Sequence, residues 1–228
     1  MAILRCMSSL TEPLVVDVVS DVVCPWCYIG KRRLEAALAG RGAGAKSTVR
    51  WHPFQLNPDI PRGGAERRSY LENKFGGPER VEEVQQRIEA AGREAGVWFE
   101  FERIRRQPNT LDAHRLIAWS QSVRPATTNE LVEHLFRGYF TQGVDIGNIE
   151  ELARIAGVAG LDAFRAKAML TSDEGRAGVA AAERRAHALG ISGVPLFIFN
   201  QRVAVSGAQP AKVLREAIAQ SEVATVTR

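Results

Sequence analysis

The sequence predicts an α/β fold interrupted by a large all-helical insertion. Three observations carry that expectation. An apolar, β-branched run from Val15 to Val23 leads into Cys24-Pro25-Trp26-Cys27 and then into a helical pattern. Far along the chain, Val194-Pro195 precedes two short apolar runs and a last helical segment. Between these ends, residues 62–172 show apolar positions three and four apart, the period of a helix packed on one side.

Taken in order, the first strand begins near residue 14. The helix starting near Cys24 has Leu34 and Leu38 on one face, and Gly40 to Gly44 end it. Thr48 to Phe54 is the next strand, and Pro58, Pro61, Gly63 and Gly64 break the chain after it. In the insertion, Val81, Val84, Ile88, Ala91 and Ala95 mark an amphipathic helix. Thr127-Thr128-Asn129-Glu130 has the form of a capping box before Leu131, Leu135 and Tyr139. Asn148 with Glu151 opens a helix through Ile155 that Gly157 closes. Thr171 with Glu174 caps a helix running to Leu189, with Gly190 after it. Leu196–Phe199 and Arg202–Ser206 around Asn200-Gln201 read as a hairpin. Pro210 opens the last helix, with Val213, Leu214, Ala217 and Ile218 on one face. The sheet-forming unit is thus discontinuous, 14–61 and 173–220, around an inserted helical subdomain at 62–172. Residues 1–13 and 221–228 are expected to be flexible termini.

Strand, Cys-x-x-Cys and helix in that order form a thioredoxin-like redox motif. Cys24 falls at the helix N-terminus, where unpaired N–H groups and the macrodipole favour a thiolate. The thiolate is the attacking species in disulfide exchange, and Cys27 is placed to resolve the mixed disulfide. Pro25 suits the first helical turn. The alternative use of such a pair, half a zinc site, needs two further ligands. The only other cysteine is Cys6, and His52, His114, His134 and His187 form no compact ligand pattern. In a thioredoxin fold a cis proline opening the later strand lies beside the dithiol, and Pro195 is expected to fill that place. The Val194 backbone would then face Cys24, and an extended substrate could pair with it as an added strand.

Four pieces in combination point to a family: Ser20-Asp21-Val22-Val23-Cys24-Pro25-Trp26-Cys27-Tyr28-Ile29-Gly30-Lys31, Pro53-Phe54-Gln55-Leu56-Asn57-Pro58, Asn109-Thr110-Leu111-Asp112-Ala113-His114-Arg115, and Gly193-Val194-Pro195-Leu196-Phe197 through Val205-Ser206-Gly207-Ala208-Gln209-Pro210. In these the chain resembles the DsbA-like thioredoxin-fold oxidoreductases, FrnE-like branch, from about residue 14 to about 220. The resemblance implies a thioredoxin fold with a helical insertion and dithiol–disulfide exchange at Cys24 and Cys27. Some relatives carry a further cysteine pair near the C-terminus. This sequence has no cysteine after Cys27, which excludes a second redox centre of that kind.

The formal net charge is +4, and the basic residues alternate with Glu along helices rather than forming a patch. Arg103-Ile104-Arg105-Arg106 is the densest cluster, and a solvated face explains it better than a nucleic-acid footprint. No Gly-rich phosphate loop is present, and no apolar run is long enough to span a membrane. Met1 to Pro13 has no secretory apolar core, so the expected location is the cytoplasm, where a Cys-x-x-Cys is catalytic more often than structural. Cys6 reads as an incidental terminal thiol, and Met7 is an alternative start.

The expected partners are protein or peptide thiols and disulfides, with glutathione or a thioredoxin system exchanging electrons. No tightly bound cofactor or metal is expected, and glutathione is a candidate reductant or co-substrate. Trp26 should either tune the helix end and contact substrate or serve simply in packing. Val194, Pro195, Asn109 and His114 are the candidate substrate-binding residues, with Asn109 to Arg115 roofing the cleft. His114 could instead be a hydrogen-bonded core histidine, and His52 either faces the dithiol or pairs along its strand. Trp98, Phe99 and Phe101 read as a lid or core contact. Two other functions remain open on sequence alone. One is a glutathione-dependent isomerase or transferase of the same fold, which the presence of both thiols disfavours. The other is a peptide-binding chaperone with an incidental dithiol.

Overall fold

The computed structural model describes residues 13–42 and 45–223. Cys6 and Met7 lie outside the described residues. Strand β1 (Leu14–Ser20) leads into α1 (Pro25–Ala39) and β2 (Ser47–Pro53). The hairpin β5 (Leu196–Phe199) and β6 (Val203–Ser206) precedes the last helix α9 (Ala211–Val223). These four strands form one sheet in the order β2-β1-β5-β6. β1 pairs parallel with β2 and antiparallel with β5, as a strand–helix–strand unit joined to a hairpin requires.

Alternation assigns the two faces. Leu14, Val16 and Val18 share one face with Phe197 and Phe199, and α1 and α9 pack there. Gly30 makes the close approach of α1 possible, because a Cβ there would meet Phe197 at 2.9 Å and Pro195 at 3.1 Å. Val19 lies on the opposite face, against Phe54 and Ala186. β2 is an edge strand, and the side-chain amide of Gln121 covers it. Gln121 Oε1 accepts the Trp51 N–H at 2.7 Å, and Nε2 donates to the Trp51 carbonyl at 3.0 Å.

Between β2 and β5 run helices α2 (Arg67–Phe75), α3 (Pro78–Glu94), α4 (Leu111–Val123), α5 (Thr128–Gln142), α6 (Ile149–Val158), α7 (Ala163–Thr171) and α8 (Arg176–Ala188). The expectation of a wholly helical insertion needs correction. Ala65–Glu66 and Arg106–Gln107 pair as a short antiparallel ribbon, β3 with β4.

Several helix ends also differ from expectation. Thr127 does not cap α5: its backbone is already helical after a 3-10 turn, and its hydroxyl donates to the Arg124 carbonyl. Thr128 is buried against Ser120 instead. Asn148 does cap α6, accepting the N–H groups of Glu150 and Glu151. Gly157 stays inside that helix, and Gly160, with φ +86°, follows its end. Thr171 closes α7 rather than opening α8, because its hydroxyl bonds back to Lys167 and Ala168 carbonyls. Val213 is 37% exposed, so the buried face of α9 is formed by Leu214, Ala217 and Ile218 together with Ser221. Helix α9 runs on to Val223, and Ser221 within it is buried and accepts a hydrogen bond from Asn200; residues 1–12 and 224–228 lie outside the described residues.

A buried charged cluster fastens the helical layer to the helix that carries the dithiol. Glu133 of α5 accepts the Tyr28 hydroxyl at 2.8 Å, Arg32 at 2.7 Å and Lys31 at 2.8 Å. Burial pushes the Glu133 carboxyl up, but Lys31, Tyr28 and Arg32 outweigh it and hold the group below the usual range. Burial, with Glu133 adding to it, pushes the Tyr28 hydroxyl up to about 12. Removing one member of a buried charge cluster leaves the others uncompensated, which typically costs about 3–5 kcal/mol. Glu133→Ala should lie near the lower end, because Glu35 still pairs with Lys31. A depressed carboxylate stabilises fully above its unfolded pKa, and the contribution is lost as pH falls through the folded value. Urea unfolding should therefore show a clear drop in midpoint for Glu133→Ala at pH 7. It should also show a smaller acid-side loss of stability in Glu133→Gln than in the parent. An unchanged midpoint would show that α5 is held elsewhere.

Candidate active site

The turn from β1 into α1 places the two cysteines. Cys24 is the N-cap of α1, with extended backbone (φ −92°, ψ 113°), and Pro25 follows in the first turn. The Cys24 carbonyl accepts the N–H groups of Cys27 at 3.0 Å and Tyr28 at 3.3 Å. No side chain caps this helix, and no acidic residue occupies its first turn, so its positive end is left open at Cys24. The turn itself is held by Asp21, whose carbonyl accepts the Cys24 N–H at 3.0 Å.

Both thiols are free. Cys24 is 5% exposed and Cys27 1%, so the order of access follows the order in the chain. Burial pushes the Cys27 thiol well up, and its hydrogen bond with Cys24 pushes the same way. The Ser20 side chain and the Asp21 backbone oppose this more weakly. Cys27 is therefore held as a thiol in contact with its partner.

The Val194–Pro195 bond is cis, as expected from the sequence. The Cys24 thiol lies 3.8 Å from the Val194 carbonyl, within reach of a weak S–H···O contact. Trp26 is 38% exposed, in keeping with a residue at the mouth of a site. Cys24, Pro25 and Trp26 border a cavity of about 280 Å³ whose far walls come from α2 and α3.

Asn109 and His114 are not among the cavity's lining residues. Asn109 accepts the Leu111 N–H at 3.0 Å and donates to the Ile60 carbonyl at 2.7 Å, which ties the start of α4 to the loop after β2. His114 is buried with Nε2 3.4 Å from Asp21 Oδ1, close to the carboxylate but without a hydrogen bond to it. Both side chains are thus turned to contacts within the protein rather than to this cavity. His52 does not face the dithiol: it bonds Asp17 at 2.8 Å, beside Arg50, on the outer face of the sheet. Phe99 and Phe101 are core residues, while Trp98 is exposed.

Two important side chains had no readable signal in the sequence. Asp21 lies inside the motif but its carboxylate has no sequence neighbour that reveals its partners, Leu56 and His114. Arg67 sits in Glu66-Arg67-Arg68, which looks like a solvated helix start, yet it is buried and lines the cavity. Among the described residues no group of three or more His, Cys, Asp or Glu side chains is placed to hold a metal ion. No described helix is long and apolar enough to cross a membrane.

Comparison with known proteins adds the family context. The DSBA-like thioredoxin domain family matches residues 15–219. A probable DsbA oxidoreductase from Streptomyces coelicolor is 32% identical, with a TM-score of 0.82 over 91% of this chain and 89% of that one. The Bacillus subtilis protein YwbO is 26% identical over 91% of this chain and 96% of its own length. The cytosolic disulfide reductase DsbM from Pseudomonas aeruginosa, solved with GSH, shares the fold at 18% identity. Its TM-score is 0.60, over 93% of this chain and 98% of that one.

The geometry predicts unequal thiols. Iodoacetamide near pH 7.5 should modify Cys24 in Cys27→Ser at least about tenfold faster than Cys27 in Cys24→Ser, because thiolate fraction and access both favour Cys24. Mass spectrometry of the timed reactions measures both rates, and equal rates would contradict the assignment.

Proposed function

The chain belongs to the DSBA-like thioredoxin domain family, and on that premise we propose that it is a dithiol–disulfide oxidoreductase working through Cys24-Pro25-Trp26-Cys27. The observation that carries the reading is the uncapped start of α1 at Cys24, with the Cys27 thiol buried behind it. The Cys24 thiolate attacks one sulfur of a substrate disulfide. A new S–S bond joins Cys24 to that sulfur, and the other sulfur leaves as a thiolate that takes a proton from water. Cys27 then loses its proton and attacks the Cys24 sulfur. The second substrate thiol leaves, and Cys24 and Cys27 are left as a disulfide. Two electrons pass from the dithiol to the substrate, and the same steps in reverse oxidise a substrate dithiol.

The substrates proposed are protein, peptide or small-molecule disulfides and thiols. An extended substrate would lie against the Val194 backbone, and the closeness of its carbonyl to Cys24 supports that placement. Glutathione or a thioredoxin system would return the electrons, and the cytoplasm is the setting proposed, since its thiol pools keep such a pair reduced.

Turnover of insulin disulfides with a dithiol reductant tests the reading. Cys24→Ser should reduce exchange to background. Cys27→Ser should accumulate a mixed disulfide on Cys24, visible as a mass adduct that a reductant removes. Equilibration of the parent with glutathione buffers then gives the potential of the pair. A Cys24→Ser variant with parental turnover would overturn the proposal.

A further inference from the structure

The cavity beside the dithiol has an unusual lining. It carries two cations, Arg67 and Lys74, and no carboxylate, while most of the remaining wall is apolar. Arg67 is 8% exposed. Its Nη1 donates to Gln107 Oε1 at 2.8 Å and to the Tyr139 hydroxyl at 2.6 Å, both neutral acceptors. The guanidinium lies 5.5 Å from the Tyr139 ring centre and 5.9 Å from that of Phe101. Those ring faces offset part of the cost of burying the charge. Its Nε has no partner, and it forms no ion pair among the described residues. On its other side Arg67 borders a cleft that also carries Glu66, Glu72, Glu82, Glu89 and Glu102, none of which forms an ion pair with it among the described residues. Glu66 instead caps α2, its carboxyl drawn down to about 2 by the N–H groups of Ser69 and Arg68. Among the described residues Lys74, at the rim, hydrogen-bonds only the neutral oxygens of Asn57 and Tyr70.

Buried charges are normally paired, and a guanidinium left with neutral partners keeps a strong preference for an anion. We propose that this cavity binds small aromatic or branched apolar carboxylates. The carboxylate meets Arg67, with Lys74 assisting at the rim. The apolar part lies against Val81, Val84, Ile88 and Phe101. A carboxylate is favoured over a phosphate because two donations from Nη1 are already committed and the wall is mainly apolar. The volume of about 280 Å³ suits a small molecule rather than a protein segment.

This deepens the proposed redox reading and rests on it in one respect: a disulfide bearing such a group would present its sulfur to Cys24 at the cavity's edge. The Cys24 thiolate would then form a Cys24–S–S–aryl bond and release one aryl thiolate, with no other reactant needed.

The test compares three disulfides on reduced protein. 5,5′-Dithiobis(2-nitrobenzoate) is aromatic and carboxylated, 2,2′-dithiodipyridine is aromatic and neutral, and glutathione disulfide is carboxylated without an aromatic ring. A hydrogen bond to a charged group is worth roughly 1.5–3 kcal/mol, or about ten- to hundredfold in rate. Arg67→Met should slow the first reagent by about that factor relative to the second. Lys74→Gln should slow it a few-fold, and Arg67→Lys should fall between. Glutathione disulfide should be affected much less than the carboxylated aromatic.

If Arg67→Met does not fold, as circular dichroism would show, Arg67→Lys and Lys74→Gln carry the comparison. An unchanged rate ratio in the folded variants overturns the proposal, as does an equal effect on glutathione disulfide. A redox-independent arm separates the two readings. In the double variant Cys24→Ser, Cys27→Ser, calorimetry should detect 1-naphthoate but not 1-naphthamide, and Arg67→Lys should weaken it. Naphthoate binding without any disulfide exchange in the parent would overturn the redox reading and keep this site. Exchange without naphthoate binding would do the reverse.

Discussion

The carboxylate of Asp21 is wholly buried, and three segments of the chain converge on it. Its Oδ2 accepts the Leu56 N–H at 2.8 Å, and Oδ1 lies 3.4 Å from His114 Nε2. Its own carbonyl holds the Cys24 N–H. The exit of β1, the loop after β2 and the first turns of α4 are therefore registered against one acidic side chain. The start of α1 inherits that register, so the position of Cys24 depends on contacts with segments more than thirty residues further along the chain. A buried carboxylate is costly unless it is well bonded. That cost is why the three segments come together in one arrangement rather than several.

The helical layer is attached by a second polar cluster rather than by apolar contact alone. Glu133 reaches Tyr28 and, one turn on along α1, Lys31 and Arg32, and Tyr28 also stacks on Phe136 with ring centres 5.1 Å apart. Apolar packing is tolerant of small shifts, whereas charged hydrogen bonds fix distance and angle. The layer is thus set at a definite height over the dithiol helix. The chemistry belongs to the sheet unit, and the walls of the adjoining cavity come from α2 and α3 of the layer.

The parts legible in the sequence are those where the signal is local. The β-branched run before Cys24, the apolar runs around Asn200-Gln201 and the Asn148 cap each depend on neighbouring residues, and each stands in the structure. Asn200 and Gln201 both take positive φ, as a tight two-strand connection demands. The unread parts are decided at long range. Thr127 has the right sequence for a cap, but the preceding 3-10 turn had already bent its backbone. Thr171 looks like a helix start, yet its hydroxyl finds carbonyls behind it. His114 and Asn109 fall in a motif segment, and their partners, Asp21 and Ile60, decide that they brace the site rather than face the cavity. Arg67 is the strongest case: only the fold brings Tyr139 and Gln107 to it and removes it from water.

The amide of Gln121 has a consequence for how the molecule behaves in a crowd. An exposed sheet edge is a template for pairing with another chain, and parallel strands leave that edge open unless something covers it. Here the side chain of Gln121 occupies the donor and acceptor of Trp51, and the closing residue of β2, Pro53, has no N–H to offer. The C-terminal part of this border is thereby closed to a recruited strand. The opposite border is β6, which is four residues long. Open-ended stacking of molecules through their sheets needs two usable borders. A single amide in α4 therefore works against fibre-like growth without altering anything at the dithiol.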